Sequence, residues 1–211
     1  SYSFRVLRAL KNRFGSTSES GIFSMETGGL KEVANPAGLF LENRAENAPG
    51  SVVCACMEGN RPIMVEVQAL VAKTPYGMPR RTAVGFDYNR VTMLLAILER
   101  RLGMDFGAYD AYVNVVGGMR VTEPAADLAV AAALVSSYRN RPIPHGVLVM
   151  GEVGLTGEVR RIGSPERRIK DAMNLGFKRF VLPMGKLSLD EPCNGIVQVK
   201  TLEEALDKVF A

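Results

Sequence analysis

The segment that most restricts the fold of this chain is an alanine-rich stretch, Thr122–Tyr138. Its six alanines would let neighbouring elements approach closely, and Thr122 is of the residue type that caps helix N-termini. Pro124 is tolerated in a first turn because the N–H that it lacks would be unpaired there. The sequence therefore predicts a helix over 122–138 that packs tightly against its neighbours.

Strand and helix signals surround this segment. A hairpin is predicted where residues 58–60 join two strand-like runs, Ser51–Met57 and Arg61–Val71. Asp87 is predicted to cap a helix that ends near Leu102. Further strands are predicted at Phe4–Leu10, Gly21–Glu26, Ala111–Val116, Val147–Met150, Phe180–Leu182 and Ile196–Val199, and further helices at Ser164–Leu175 and after Thr201. Because these elements alternate without the regular spacing of a doubly wound sheet, we expect a mixed α/β (α+β) domain.

Composition narrows the class of protein. The chain has 211 residues, of which 47% are apolar, and no apolar run approaches the length of a membrane span. Three cysteines without a C-x-x-C pair, together with a single histidine, indicate neither a disulfide framework nor a zinc site within the chain. We expect a soluble protein of the reducing cytoplasm without a membrane partner. Because Ser1 is not an initiating methionine, we also expect a fragment of something longer.

The positive charge is concentrated in one segment. Arg160–Arg179 holds seven basic and two acidic residues, a net charge of +5, whereas the whole chain carries +4. A local excess of this kind can bind an anionic polymer by displacing counterions from phosphates. It is equally typical of a solvated helix face. The residues alone leave both interpretations open.

Two segments, Gly117–Ser137 and Gly151–Ala172, resemble the two active-site segments of the Lon protease domain. In that family the first carries a nucleophilic serine and the second a lysine that activates it. The match places Ala125 at the serine position and Glu166 at the lysine position. The resemblance implies a Lon protease-like fold, also called ribosomal protein S5 domain 2-like, that has no catalytic residues and is not an enzyme.

A relocated nucleophile is the enzymatic alternative. The helix start is suited to a nucleophile because its free N–H groups stabilise negative charge. Ser136 and Ser137 lie about three turns beyond Ala125, roughly 16 Å along a helix, so they cannot take its place. Lys170 lies one turn beyond Glu166 and is expected to form a surface pair with it.

Lys11–Gly15 reads KNRFG, which resembles the signature of the bacterial RadA (Sms) family of RecA-related DNA repair proteins. The resemblance covers nearly the whole chain. It extends over Met57–Pro62, Val65–Leu70, Pro79–Arg81, Asp87–Arg90, Glu123–Ala129 and Gly151–Arg161.

This second resemblance implies a longer parent with a zinc finger that holds Zn, a RecA-like ATPase that uses ATP and Mg, and a C-terminal Lon-like domain. Residues 1–36 would be the terminal hairpin of the ATPase, and residues 37–211 the Lon-like domain. Such a parent would be a DNA-dependent ATPase and helicase that drives branch migration as a hexameric ring, with the recombinase RecA as a partner. Lys11 and Arg13 would sense nucleotide across a subunit junction, unless they are only turn residues. The chain has no phosphate-binding P-loop, so no cofactor is expected in it.

Single-stranded or branched DNA is the partner that the basic residues indicate, through contacts to the phosphate backbone. The chain has no Trp, and aromatic residues are scarce beside the basic residues, which argues against base stacking. A pure assembly scaffold without DNA contact remains the third interpretation. The candidate DNA-binding residues are Arg61, Arg80, Arg81, Arg160, Arg161, Arg167, Arg168 and Lys170.

Overall fold

The computed structural model describes residues 4–8, 20–32, 41, 44–45, 47–189 and 192–211. Lys11, Arg13 and the predicted domain boundary after residue 36 lie outside these ranges. The first described part is a three-stranded antiparallel sheet in the order β1-β2-β3. Its strands are β1 (Phe4–Arg8), β2 (Ser20–Glu26) and β3 (Gly29–Glu32). The pairing of β1 with β2 confirms the expected hairpin, and β3 was not predicted.

The second described part is built on a seven-stranded mixed sheet in the order β12-β11-β8-β4-β5-β7-β6. The pair β4-β5 and the pair β5-β7 are antiparallel, whereas β6-β7, β4-β8, β8-β11 and β11-β12 are parallel. The strands are β4 (Ser51–Glu58), β5 (Arg61–Lys73), β6 (Arg81–Val84), β7 (Tyr109–Val115), β8 (Val147–Val149), β11 (Arg179–Pro183) and β12 (Ile196–Val199). A separate short hairpin pairs β9 (Glu152–Val153) with β10 (Val159–Arg160). This arrangement confirms the mixed α/β class.

Four helices cover the sheet within the described ranges. They are α1 (Tyr88–Leu102), α2 (Asp127–Tyr138), α3 (Pro165–Asn174) and α4 (Leu202–Val209). Side chains alternate between the two faces of β4, so Val52 and Cys54 join the core under α1, α2 and α4, while Val53 joins the core under α3. None of these helices is both long and apolar enough to cross a membrane.

The start of α2 differs from the prediction. A single 3-10 turn, Pro124–Ala126, precedes the α-helix, which begins at Asp127 rather than near Thr122. Glu123 occupies the cap position of that turn, but its side chain makes no capping bond. Instead its carboxylate accepts the Met57 N–H and the guanidinium of Arg168. Thr122 is therefore not an N-cap, because contacts with distant residues fix this segment.

Candidate functional site

Ala125, which the resemblance to Lon places at the nucleophile position, is enclosed by the fold. It is only 4% exposed, and its carbonyl accepts the Gly151 N–H at 2.8 Å. The Gly151 carbonyl in turn accepts the Leu128 N–H at 3.0 Å. A side chain at position 151 would meet Val159 Cγ1 at 2.8 Å, so only glycine allows this approach. The turn that carries Ala125 is thereby attached to the segment after β8.

Asp127 and Arg90 form the first of two ion pairs beside Ala125. Asp127 is fully buried and accepts two bonds from the Arg90 guanidinium and one from the Val153 N–H. Burial raises the pKa of the Asp127 carboxyl, and the bonds from Arg90 and Val153 oppose that shift. The same contact raises the pKa of Arg90. The pair fixes α1 to the start of α2 and to β9.

Arg168 and Glu123 form the second pair. Arg168 is 2% exposed, and its two terminal nitrogens contact the Glu123 carboxylate at 2.8 and 2.7 Å. Its other bonds go to the carbonyls of Ala55 and Gly163. The prediction of Arg168 as a DNA contact is wrong, because its donors are used inside the protein. The signal that reveals this is helical spacing: Arg168 lies four residues before Ala172 and adjoins Ile169, both buried.

A cleft of about 350 Å³ opens beside these pairs. Each carboxylate in it already accepts hydrogen bonds: Asp87 from the Arg90 N–H, Glu123 from Arg168, and Asp127 from Arg90. Among the described residues that line it, none is a serine or a lysine. The lining residues are Phe86, Asp87, Arg90, Arg120, Val121, Thr122, Glu123, Pro124 and Asp127. This lining offers no pairing of a serine nucleophile with an amine base.

The other residues considered for peptidase chemistry have structural contacts. Ser136 Oγ accepts the Gly50 N–H and donates to the Arg141 carbonyl, and Ser137 Oγ accepts the Val71 N–H. Glu166 accepts the Ser188 N–H at 3.3 Å. These contacts are at the far end of α2 and on α3, away from the cleft.

Two of the cysteines share one face of β4. Cys54 and Cys56 are buried, with sulfur atoms 3.2 Å apart. The hydrogen bond to Cys54, followed by burial, raises the pKa of the Cys56 thiol well above its ordinary value. The Cys56 thiol therefore stays protonated in the core, Cys54 is buried beside it, and Cys193 is half-buried.

Three predicted DNA-binding residues come together at the β4-β5 turn: Arg61, Arg167 and Lys170, here called the hairpin cluster. Arg167 donates to the Asn60 carbonyl at 2.9 Å, which brings α3 to the turn. All three are exposed and surround Asp171. Partial burial raises the pKa of Asp171, and the charges of the three basic residues oppose that shift. Glu58, which lies opposite Arg61 in the β4-β5 register, and Glu166, which lines one cavity with Arg167 and Lys170, add negative charge beside the cluster.

Arg160, the last residue of β10, and Arg161, the next residue, are also exposed. Arg160 is 60% exposed and faces Glu152 and Glu158 at 3.6 and 3.9 Å, so part of its charge is balanced. Arg161 donates to the Met184 carbonyl at 3.3 Å.

The last two predicted residues, Arg80 and Arg81, lie at the opposite end of β5 from the hairpin cluster. Arg80 is exposed, but the Arg81 guanidinium donates to the carbonyls of Tyr109 and Phe106 and anchors the chain there. These bonds contradict a primary role for Arg81 in DNA contact. Since β5 has 13 residues, its two ends are roughly 40 Å apart. The predicted residues therefore form separate surfaces, not one patch.

Comparison with known families assigns the class of protein. A family model described as subunit ChlI of Mg-chelatase matches residues 67–186, more than half of the chain. The chain belongs to this family, which its motifs had not indicated. The matched range contains both ion pairs, the cleft beside Ala125, and α3.

Similarity to individual proteins is more specific. The chain is 50% identical over 210 residues to DNA repair protein RadA of Halalkalibacterium halodurans, which covers 98% of this chain and 46% of that protein. It is 51% identical over 207 residues to RadA of Pseudomonas aeruginosa (98% and 46%) and 49% identical over 207 residues to RadA of Bacillus subtilis (97% and 45%). The predicted resemblance to RadA is confirmed, and the chain spans about half the length of these curated relatives.

Proposed function

We propose that this chain is a non-proteolytic, Lon-like oligomerisation and DNA-binding domain of a RadA-type, ATP-dependent branch-migration motor that acts in recombinational DNA repair. The observation that carries the first half of this proposal is the state of the cleft beside Ala125. The nucleophile position holds a methyl group, and the three carboxylates that line the cleft already accept hydrogen bonds. Loss of the serine and lysine thus leaves the fold intact and removes peptide hydrolysis.

DNA binding is supported by the exposed basic residues that stand outside these ion pairs. Arg61, Arg167 and Lys170 are exposed at a hairpin turn and on one helix, where they can contact a phosphate backbone. Such contacts carry no base sequence information and depend strongly on salt.

The remaining properties concern the longer protein and rest on the similarity to RadA. They comprise an ATPase that uses ATP and Mg, a zinc finger, assembly as a hexameric ring and cooperation with RecA. Lys11 and Arg13 would then reach the nucleotide of a neighbouring subunit. A strand-exchange assay on a full-length RadA-type protein carrying this chain, with and without Lys11→Ala, tests that role. Unchanged branch migration in the variant would contradict it.

The test of DNA binding is a salt series with single-stranded DNA. The triple variant Arg61→Ala, Arg167→Ala, Lys170→Ala should lower affinity and reduce the slope of log K against log salt by about 2, since each lost phosphate contact removes about 0.7. A matched control removes the same charge elsewhere, through Arg100→Ala, Lys200→Ala and Lys208→Ala, all exposed. Equal slopes for the two triple variants would contradict the choice of the hairpin cluster.

Two further results would contradict the proposal at a coarser level. Self-association without DNA binding, even at low salt, would favour the interpretation of the chain as an assembly scaffold. Covalent labelling of a serine by a fluorophosphonate, accompanied by peptide cleavage, would restore the peptidase interpretation.

A further inference from the structure

The loop formed by residues 74–80, between β5 and β6, presents two apolar side chains to solvent. Tyr76 is 95% exposed and Met78 is 88% exposed, the highest values among the large hydrophobic residues that the structure describes as exposed. Gly77 between them has φ +82°, which only glycine adopts without strain. Prolines at 75 and 79 restrict the backbone on either side. The two side chains are therefore presented by a restricted turn.

The base of this loop is held by Asp110, on β7. Its carboxylate accepts the Thr74 hydroxyl at 2.9 Å and the Arg80 N–H at 2.7 Å, which joins the first and last residues of the loop. The Thr74 N–H also donates to the Ala108 carbonyl at 3.0 Å. Because both ends are fixed, little conformational entropy remains to be lost when the tip contacts a ligand.

The charge around the loop favours an anionic ligand. Residues 67–86 contain Lys73, Arg80 and Arg81 and no acidic residue. Lys73 and Arg80 are exposed on either side of the tip. Asp110, which belongs to β7, is 8% exposed, and its carboxylate already accepts the two bonds of the loop base. An exposed aromatic ring between two exposed cations is the combination that binds single-stranded nucleic acid, through base stacking and phosphate contacts.

We propose that Tyr76 stacks on a base of single-stranded DNA while Lys73 and Arg80 contact the phosphates on either side. This proposal rests on the DNA-binding function above and adds base stacking, which the scarcity of aromatic residues beside the basic residues does not favour. A single strand fits better than a duplex, because its bases have free faces on which an aromatic ring can stack. The loop site lies about 40 Å from the hairpin cluster, so it is a second contact and not an extension of the first.

The experiment measures binding of oligonucleotides that contain 2-aminopurine, whose fluorescence reports stacking, together with a duplex of the same sequence. Tyr76→Ala should weaken single-strand binding by roughly 5- to 150-fold, the range for loss of one stacked base. It should abolish the stacking signal, leave the salt slope unchanged and leave duplex binding unchanged. Tyr76→Phe keeps the ring and should restore both affinity and signal.

Leu155→Ala is the matched control, because Leu155 is another exposed apolar residue at a hairpin turn and is 68% exposed. Its affinity and signal should equal those of the unaltered protein. Tyr76→Ala with unaltered affinity and signal, in a protein that still binds DNA, would overturn the stacking proposal alone. Loss of self-association in Tyr76→Ala without a change in DNA affinity would overturn it too, by assigning the loop to contact between copies. A protein that binds no DNA at any salt would overturn this proposal together with the DNA-binding function.

Discussion

Arginines beside Ala125 and arginines at the β4-β5 turn have opposite roles, although sequence alone does not separate them. Arg90 and Arg168 direct their donors to Asp127, Glu123 and backbone carbonyls within the fold. Arg61 and Arg167 are exposed and face solvent. The clearest contrast is between neighbours, since Arg168 is 2% exposed and Arg167, one residue before it, is exposed. A run of basic residues in the sequence therefore indicates positive charge. Only the packing shows whether each side chain forms an ion pair inside the fold or is exposed to solvent.

The difference between Arg168 and Arg167 gives the largest expected effect. Arg168→Ala leaves the Glu123 carboxylate with the Met57 N–H but no countercharge, removes a donor from the Ala55 carbonyl, and should destabilise the protein by about 3 to 5 kcal/mol. Arg167→Ala should change the free energy of unfolding by no more than about 0.5 kcal/mol. Urea unfolding of both variants measures these values. Similar losses in the two variants would break the distinction between interior and exposed arginines.

The two helix starts extend the comparison to capping residues. Asp87 caps α1 by accepting the Arg90 N–H at 2.8 Å, whereas Thr122, which the sequence also favours as a cap, precedes a 3-10 turn that has no side-chain cap. We expect Asp87→Ala to cost about 1 kcal/mol of stability. Thr122→Ala should cost almost nothing, because it removes no capping bond. Thermal unfolding of the two variants tests this, and an equal cost would contradict the observed start of α2.

The fold could be predicted where its signals are local. Helix α1 has both ends encoded nearby, in Asp87 and in Gly103, which adopts φ 64°. The hairpin of β4 and β5 likewise follows from a short turn between two apolar runs. By contrast, Glu123 is directed away from its helix by Met57 and Arg168, 66 and 45 residues distant in sequence. Strand β6 was missed because it has four residues and exists through pairing with β7.

The candidate site was also predictable only in part. The proposal of a non-proteolytic domain could be made from sequence, because Ala125 and Glu166 visibly lack the hydroxyl and the amine that the resemblance to Lon would require. The role of each basic residue could not be predicted from sequence, because the burial of Arg168 and the anchoring of Arg81 depend on carbonyls from other strands and turns. Tyr76 was overlooked for a related reason: its exposure follows from the loop base formed by Asp110, which is 34 residues further along the chain.

The smallest expected effect concerns Asp110 and is confined to the 74–80 loop. Asp110 shares a feature with both the interior and the exposed arginines, because it is buried itself while the loop that it holds is exposed. The Arg80 N–H, followed by the Thr74 hydroxyl, lowers the pKa of Asp110 below its ordinary value. A carboxyl whose pKa is lower in the folded than in the unfolded chain contributes stability above the unfolded pKa and loses it as pH falls through the folded pKa. The loop base should therefore be intact at about pH 5 and open only below about pH 3.9, the ordinary value for aspartate. The amide resonance of Arg80, followed by NMR during acid titration, should report that midpoint. Asp110→Asn, which cannot ionise but retains an acceptor, should remove the transition, and a midpoint at or above the ordinary aspartate value would show that Asp110 does not hold the loop.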